Sequence, residues 1–227
     1  MRSALGEIVY GNHVNLLFAR LTRGLAAWSF STSNRRFFTF MQANHLFSGM
    51  KKLKLDELGR ISIGEFKEAE KIPVCLFLDN VRSLHNVGSA FRTADAFRVE
   101  KIYLTGITGT PPHREIQKTA LGATESVAWE YAESPAAAIQ HLKTQGYVIV
   151  AVEQTTASKP LHEFMPTDHQ KYCLVFGNEV DGVSEEVIEQ ADIALEIPQT
   201  GTKHSLNISV CVGIVVWDVF RKIKLKA

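Results

Sequence analysis

The chain has 227 residues, 45% of them hydrophobic, which is enough to bury a sizeable core and predicts one domain plus an appendage. Its formal net charge of +1 is uninformative as a whole, but without the N-terminal segment the charge is −3, which excludes a generic polycation that would bind nucleic acid through overall charge. Three cysteines without a C-x-x-C pair indicate buried core residues in a reducing compartment, and eight histidines without ligand spacing predict no metal site.

The first 49 residues differ in composition from the remainder. They carry five arginines and one acid, Glu7, which leaves 20 basic and 23 acidic residues in the rest of the chain. An arginine-rich, serine-rich, acid-poor N-terminus is typical of an organellar transit peptide. Met50 is followed by an ordinary charged amphipathic start, so residues 1–49 also fit an extension upstream of the true start site, and an RNA-binding extension is the third alternative. In all three cases we expect residues 1–49 to be poorly ordered.

Residues 50–72 are predicted to form one or two short helices, the second opened by a capping box at 62–65. From residue 73 to 227 apolar runs alternate with helical patterns, which predicts an α/β domain with a largely parallel sheet. The predicted strands are 74–79, 102–105, 126–131, 147–153, 173–176 and 193–197, and the predicted helices are 87–97, 114–121, 135–145, 183–190 and 206–220. No apolar stretch reaches 18 residues, so no membrane-spanning helix is predicted.

Two loops of this domain carry candidate functional groups. Gly177-Asn178-Glu179 follows the strand at 173–176, and the carboxyl ends of strands are where open α/β sheets bind ligands. The strand at 193–197 is followed by a polar loop that closes at Ser205-Leu206-Asn207. As ordinary βα turns, these loops would need the glycine only as a turn residue and Ser205 or Asn207 as a helix cap.

Three motifs in a fixed order suggest more than ordinary turns. They are N-V-G-S-A-F-R-T-A at 86–94, G-N-E-x-x-G-V-S at 177–184, and I-P at 197–198 with S-L-N-I-S at 205–209. Together they resemble the motifs of the SpoU (TrmH-like) branch of the SPOUT RNA methyltransferases, over residues 73 to the C-terminus. This resemblance implies a SPOUT-type α/β knot, with a C-terminal trefoil knot that sequence patterning could not predict because knotted chains are rare.

The activity implied by the resemblance is transfer of a methyl group from S-adenosylmethionine to a ribose 2′-hydroxyl of tRNA or rRNA. Its implied catalytic residues are Asn86, Arg92, Glu179, Ser205 and Asn207. Gly88 and Arg92 are four residues apart and share a helix face, which is expected to carry Arg92 near the strand ends. Arg92 could act as a base or stabilise the developing alkoxide, and we favour stabilisation because an arginine pKa above about 12 resists deprotonation. A plain surface arginine is the alternative.

The resemblance implies the contacts of Gly177, Ile197 and Leu206 with the cofactor, and position at a strand end or in a loop suggests the other roles. Cofactor contacts fall on Gly177, Ile197 and Leu206, largely through main chain, and Glu153 at the end of the fourth strand is expected to line the same cleft. RNA contacts are expected at Arg92, Arg114, Lys203 and His204, which could equally be solvated surface charges.

The last predicted helix is apolar on nearly all sides, which indicates burial on both sides and, with the resemblance, a homodimer formed through it. The competing hypothesis is a non-catalytic RNA-binding protein that keeps the fold. A dinucleotide-dependent enzyme is set aside because no G-x-G-x-x-G follows the first strand. We expect a cytoplasmic protein, or an organellar one if residues 1–49 are a transit peptide, and the sequence names neither the RNA nor the nucleotide.

Overall fold

The apolar runs of the sequence become the strands of one parallel sheet. The structure, a computed structural model, describes residues 50–225, and the extension predicted for residues 1–49 lies outside them. The strands are β1 (Ile72–Asp79), β2 (Val99–Thr105), β3 (Trp129–Ala132), β4 (Tyr147–Val152), β5 (Lys159–Pro160), β6 (Lys171–Phe176) and β7 (Ile193–Glu196). They lie in the order β3-β2-β1-β6-β4-β7-β5, and all neighbouring strands pair in parallel.

Helices connect most of the successive strands and cover both faces of the sheet. They are α1 (Ile63–Glu68), α2 (Leu84–Ala96), α3 (Arg114–Ala120), α4 (Ala123–Ser126), α5 (Pro135–Thr144), α6 (Glu185–Ile188) and α7 (Ile208–Phe220), with 3₁₀ turns at Leu55–Leu58 and Leu161–Glu163 and a π-helical turn at Arg221–Leu225. None of the helices among the described residues combines the length and apolarity needed to cross a bilayer. The predicted α/β class is therefore confirmed.

The central strands are buried on both faces, as their continuous apolar sequences predicted. Residues 74–79 of β1 and 172–176 of β6 are buried throughout. One face packs against α2, α3 and α7, and the other against α5 and α6. Phe66 of α1 is buried in the first of these cores, and the sheet with its helices forms one compact unit from Leu55 onward. The boundary proposed at residue 73 stays a prediction.

Helix caps move the predicted starts of two helices. Ser83 caps α2 by accepting the Asn86 N–H, so the helix begins at Leu84 and Asn86 lies in its first turn rather than in the predicted loop 80–86. Asn207 caps α7 by accepting the Ser209 N–H at 2.9 Å, so this helix begins at Ile208 instead of residue 206, and the cap is Asn207 rather than Ser205.

Two shorter elements also differ from the prediction. Ser126 ends the helical turn α4, where its hydroxyl bonds to Asp95 and to the Ala123 carbonyl, so β3 begins only at Trp129 instead of at residue 126. The helix predicted for 183–190 forms over Glu185–Ile188 alone.

Helices α2 and α3 approach each other through a glycine. A Cβ atom on Gly88 would lie 2.1 Å from the Thr119 hydroxyl and 2.3 Å from the Ile116 carbonyl oxygen. Because one of these atoms is a backbone oxygen of α3, a change of side-chain rotamer cannot relieve the clash. Gly88 therefore fixes how closely α3 packs on α2.

Replacing this glycine should destabilise the fold. We expect Gly88→Ala to lower the free energy of unfolding by about 1–3 kcal/mol, because the methyl group overpacks the α2–α3 contact. Gly64→Ala is the matched control, since a Cβ there has only the Ser62 hydroxyl, 4.0 Å away, as a neighbour. Denaturant unfolding measures both, and equal stabilities for the two variants would contradict the assigned packing role.

Candidate active site

A cavity of about 520 Å³ opens at the carboxyl edge of the sheet, next to the ends of β4, β6 and β7. Its size falls within the range of roughly 300–1,000 Å³ that is usual for small-ligand pockets. The lining includes residues 152–154, 176–182, 195–197 and 204–208, together with Gln199 and Cys211. Two of the three sequence motifs therefore meet at one cavity, although residue 177 and residue 208 lie far apart in the chain.

The loop after β6 is a tight turn closed by its own backbone. Asn178 and Gly182 exchange both of their N–H···O bonds, at 2.8 and 3.0 Å, and the Asn178 side chain accepts the Val180 N–H at 2.8 Å. A Cβ on Gly177 would lie 2.0 Å from the Gly182 carbonyl carbon, and Gly182 has a φ of +72°. Both glycines are thus required by the turn itself, whatever they contact in a ligand.

Glu179 joins this turn to the loop after β1. Its carboxylate accepts the backbone N–H groups of Arg82 and Ser83, each at 3.0 Å, and the Asn86 side-chain amide at 3.0 Å. Burial alone would raise the pKa of Glu179, but these N–H donors stabilise the ionised form more, so its pKa lies below the ordinary value. Asn86 and Glu179 together therefore fix the loop after β1.

The sequence reading missed a buried part of the same junction. Asp79, fully buried at the end of β1, accepts the Ser184 N–H and the Asn80 side-chain amide, both at 2.8 Å. Asn178 in turn donates from its side chain to the Asn80 carbonyl at 2.9 Å. A lone acid closing the apolar run at 74–79 was the available signal for this contact.

Glu153 lines the cavity, as expected, and also supports the glycine turn. Its carboxylate accepts the Val183 N–H at 3.1 Å and the Gln154 N–H at 2.9 Å. Gln154 donates from its side chain to the His204 carbonyl at 2.7 Å, which ties the β4 end to the loop before α7. The loops after β4, β6 and β7 are thus held together by hydrogen bonds.

The remaining cofactor candidates border the same space. Ile197 is half-buried, while Ser205, Leu206 and Asn207 are exposed along the cavity wall. Asn207 is both lining and cap, because its side-chain oxygen accepts the Ser209 N–H and hydroxyl.

The expected RNA-contacting cations lie mostly outside the cavity. His204 lines it, whereas Arg92, Arg114 and Lys203 do not. Arg92 is exposed two turns into α2 and has no hydrogen bond or ion pair within residues 50–225. Arg92 therefore does not line the cavity of a single chain, and its place near the strand ends stays a prediction.

The charge of the cavity limits what it can hold. Four lining residues are acidic, namely Glu153, Glu179, Asp181 and Glu196, and the lining contains no lysine or arginine. A ligand with a cationic centre and an apolar part is therefore favoured over one carrying phosphates. Within the described part of the chain, no group of three or more His, Cys, Asp or Glu side chains is arranged to hold a metal ion.

A parallel sheet with a ligand-sized cavity at its carboxyl edge defines an α/β domain suited to binding a small organic molecule at its strand ends. The chain belongs to the SpoU rRNA Methylase family, whose model matches residues 73–217. This confirms the family expected from the motifs.

Individual relatives agree with this assignment. The chain is 33% identical over 165 residues to the tRNA (guanosine(18)-2′-O)-methyltransferase of Aquifex aeolicus, across 70% of this chain and 74% of the relative. The A. aeolicus TrmH/SpoU tRNA modifying enzyme superposes with a TM-score of 0.65 at 30% identity, over 72% of this chain and 83% of that one. The AdoMet-bound rRNA methyltransferase of Sinorhizobium meliloti gives a TM-score of 0.62 at 26% identity, over 69% and 59% of the two chains. A TrmH family tRNA/rRNA methyltransferase of Staphylococcus saprophyticus is 31% identical, and this chain spans only 63% of its length.

The lowered pKa of Glu179 gives a pH-dependent prediction. Its ionised form is stabilised in the fold, so that stabilisation is present above the unfolded pKa of about 4.3 and is lost as the pH falls through the lower folded value. We expect Glu179→Gln to melt at a lower temperature than the parent at pH 7, and the difference to shrink below about pH 4.

Thermal melts between pH 3 and 7 measure this difference. Glu186→Gln is the control for losing one surface charge, since Glu186 is exposed and its carboxylate accepts no hydrogen bond among residues 50–225. A Glu179→Gln difference that stays constant down to pH 3 would show that the carboxylate does not hold the two loops together.

Proposed function

We propose that this chain transfers a methyl group from S-adenosylmethionine to a ribose 2′-hydroxyl of tRNA or rRNA. The main observation behind this proposal is the hydrogen bonding of Glu179, which joins the motif at 86–94 to the cavity lined by the other two motifs. Family membership supports the reaction class, and the named relatives act on tRNA and rRNA. Because the match spans only part of several relatives, the substrate is proposed at this coarse level.

The cavity fits the proposed cofactor. S-adenosylmethionine carries a sulfonium cation and an adenine ring, and it supplies an activated methyl group when bound. The acidic residues Glu153 and Glu179 suit the cation, and the apolar side chains of Ile197 and Leu206 offer a surface for the ring. Gly177 leaves main chain accessible beside them, so these five residues are the proposed cofactor contacts.

The chain's own groups would handle the hydroxyl. An alcohol is a weak nucleophile at neutral pH, so the site must orient it and favour loss of its proton. Glu179 is a poor base for this purpose, because its pKa is lowered and its three N–H donors stabilise the charged form. We assign it a positioning role together with Asn86, and propose that Ser205 and Asn207 orient the ribose from the opposite wall.

Arg92 is proposed to act on bound RNA from outside the cavity. Its guanidinium is exposed and unpaired within the described residues, so it is free to grip a phosphate and stabilise negative charge near the reacting oxygen. Arg114, Lys203 and His204 are proposed as further backbone contacts. The alternative, an RNA-binding protein without activity, keeps the same contacts but transfers no methyl group.

Methyl transfer tests these two functions directly. We expect the full-length chain to transfer label from radiolabelled S-adenosylmethionine to total tRNA or to rRNA taken from cells lacking this protein. Arg92→Ala should reduce the rate by about 10²–10³-fold, as loss of one charge-stabilising donor does. Arg98→Ala is the control, because Arg98 is also exposed but precedes β2 at the opposite edge of the sheet. No transfer from a folded protein that still binds the cofactor would favour the non-catalytic alternative.

We further propose that the protein is a homodimer formed through α7. One face of this helix, with Val212, Val215 and Val219, is buried against the sheet core. The burial on both sides that the sequence predicts would therefore need a partner on the opposite face. The opposite face leaves Val210 47%, Ile214 37% and Trp217 46% exposed, at helical spacing. The trefoil knot and the cytoplasmic or organellar location stay predictions from the sequence.

The oligomeric state checks this interface. We expect a solution mass of twice 25.3 kDa for the parent chain and about half of that for Ile214→Glu, because a charge would be buried against an apolar surface. Light scattering after size-exclusion chromatography measures both. Ile107→Glu, at a side chain 66% exposed on the loop after β2, should remain dimeric. A parent chain of 25.3 kDa at micromolar concentration would rule the proposed dimer out.

A further inference from the structure

Arg82 lies at the junction between the two motif loops but was absent from the expected RNA-binding residues. It belongs to the segment between β1 and α2, and its backbone N–H donates to Glu179 Oε2 at 3.0 Å. The residue before it, Val81, is buried and donates to the Thr108 hydroxyl at 2.9 Å. The residue after it, Ser83, donates to Glu179 and caps α2. The backbone of Arg82 is thus held on both sides.

The side chain of Arg82, in contrast, is exposed. Within residues 50–225 no carboxylate forms an ion pair with it, even though Glu179 is next to its backbone. The two Glu179 oxygens are already occupied by N–H donors of this loop and by the Asn86 amide. The guanidinium is therefore presented to solvent from a fixed backbone, beside the proposed site.

The acidic cavity beside Arg82 suggests what its exposed guanidinium binds. The cavity next to it is lined by four acidic residues and by no lysine or arginine, so it repels an approaching polyanion. An RNA strand that brings its ribose to this cavity must place adjacent phosphates near the same edge. An arginine fork matches a phosphate bidentately and keeps its charge at every physiological pH.

We propose that Arg82 binds a backbone phosphate of the RNA next to the nucleotide that is methylated. This inference rests on the proposed function, because it assumes that a ribose enters the cavity beside Glu179. Arg82 is an RNA-binding residue in this scheme and takes no part in proton transfer. Its role is to offset the repulsion between the acidic cavity and the RNA.

RNA binding as a function of salt tests the proposal. The full-length parent, Arg82→Ala, Arg82→Lys and the control Arg98→Ala are titrated with the RNA that accepts methyl groups, over a range of KCl concentrations. We expect Arg82→Ala to weaken binding about tenfold at low salt, as loss of a charge-assisted contact does. The slope of log affinity against log salt should become shallower by about 0.7–0.9, the value for one phosphate contact.

The other variants separate this role from general effects. Arg82→Lys should keep the parent's salt slope while recovering only part of the affinity, because it retains the charge without the fork. Arg98→Ala should match the parent, since its side chain lies at the opposite edge of the sheet. Steady-state kinetics of Arg82→Ala should show a raised KM with kcat nearly unchanged, and its melting temperature and cofactor affinity should equal those of the parent.

Three results would overturn the proposal. They are an Arg82→Ala salt slope equal to the parent's, an equal loss of affinity in Arg82→Ala and Arg98→Ala, or a fall in kcat without a change in KM. Failure of the proposed function would look different, because the parent itself would transfer no methyl group to any RNA. In that event, titration of the parent and Arg82→Ala with total tRNA still tests whether Arg82 binds RNA, since binding does not require methyl transfer.

Discussion

The carboxylate of Glu179 is the contact on which the candidate site depends. It joins two loops that are far apart in the chain, since Asn86 and Glu179 are separated by 93 residues. The carboxylate accepts three N–H bonds from the other loop, each at 3.0 Å. Without it, the residues from Arg82 to Asn86 would have no hydrogen bond to the turn after β6. Two further links join the same segments, from the Asn178 side chain to the Asn80 carbonyl and from the Ser184 N–H to the buried Asp79. Two motifs of the family thus behave structurally as one unit.

The fold could be predicted wherever burial leaves a simple pattern in the sequence. β1 and β6 are buried on both faces, so continuous apolar runs marked them. β3 is half-exposed and preceded by a helical turn, and its predicted start was three residues early. β5 was missed because two residues, one of them a proline, leave no apolar period. Caps at Ser83 and Asn207 shifted helix starts, since either of two neighbouring polar residues fits a cap signal.

The site was predictable in its members but not in its contacts. Motifs identified Asn86, Glu179 and Asn207, and the structure brings the first two together and places the last two at the cavity. Spacing cannot reveal which donors satisfy Glu179, because two of the three belong to backbone and carry no residue signature. For the same reason Arg82 was invisible in the sequence. Arg92 was expected near the strand ends, and the structure shows only that it lies two turns into α2 and outside the cavity lining.

Helix α7 touches two different surfaces with one rigid body. Its N-terminal cap, Asn207, borders the cavity, and its outer face carries Ile214 and Trp217 to solvent about two to three turns away. A helix of 13 residues does not bend easily over this distance, so ordering at its first turn constrains the orientation of the outer face. In a protein that associates through that face, cofactor occupancy and self-association would then be thermodynamically linked, each changing the other's equilibrium by the same factor.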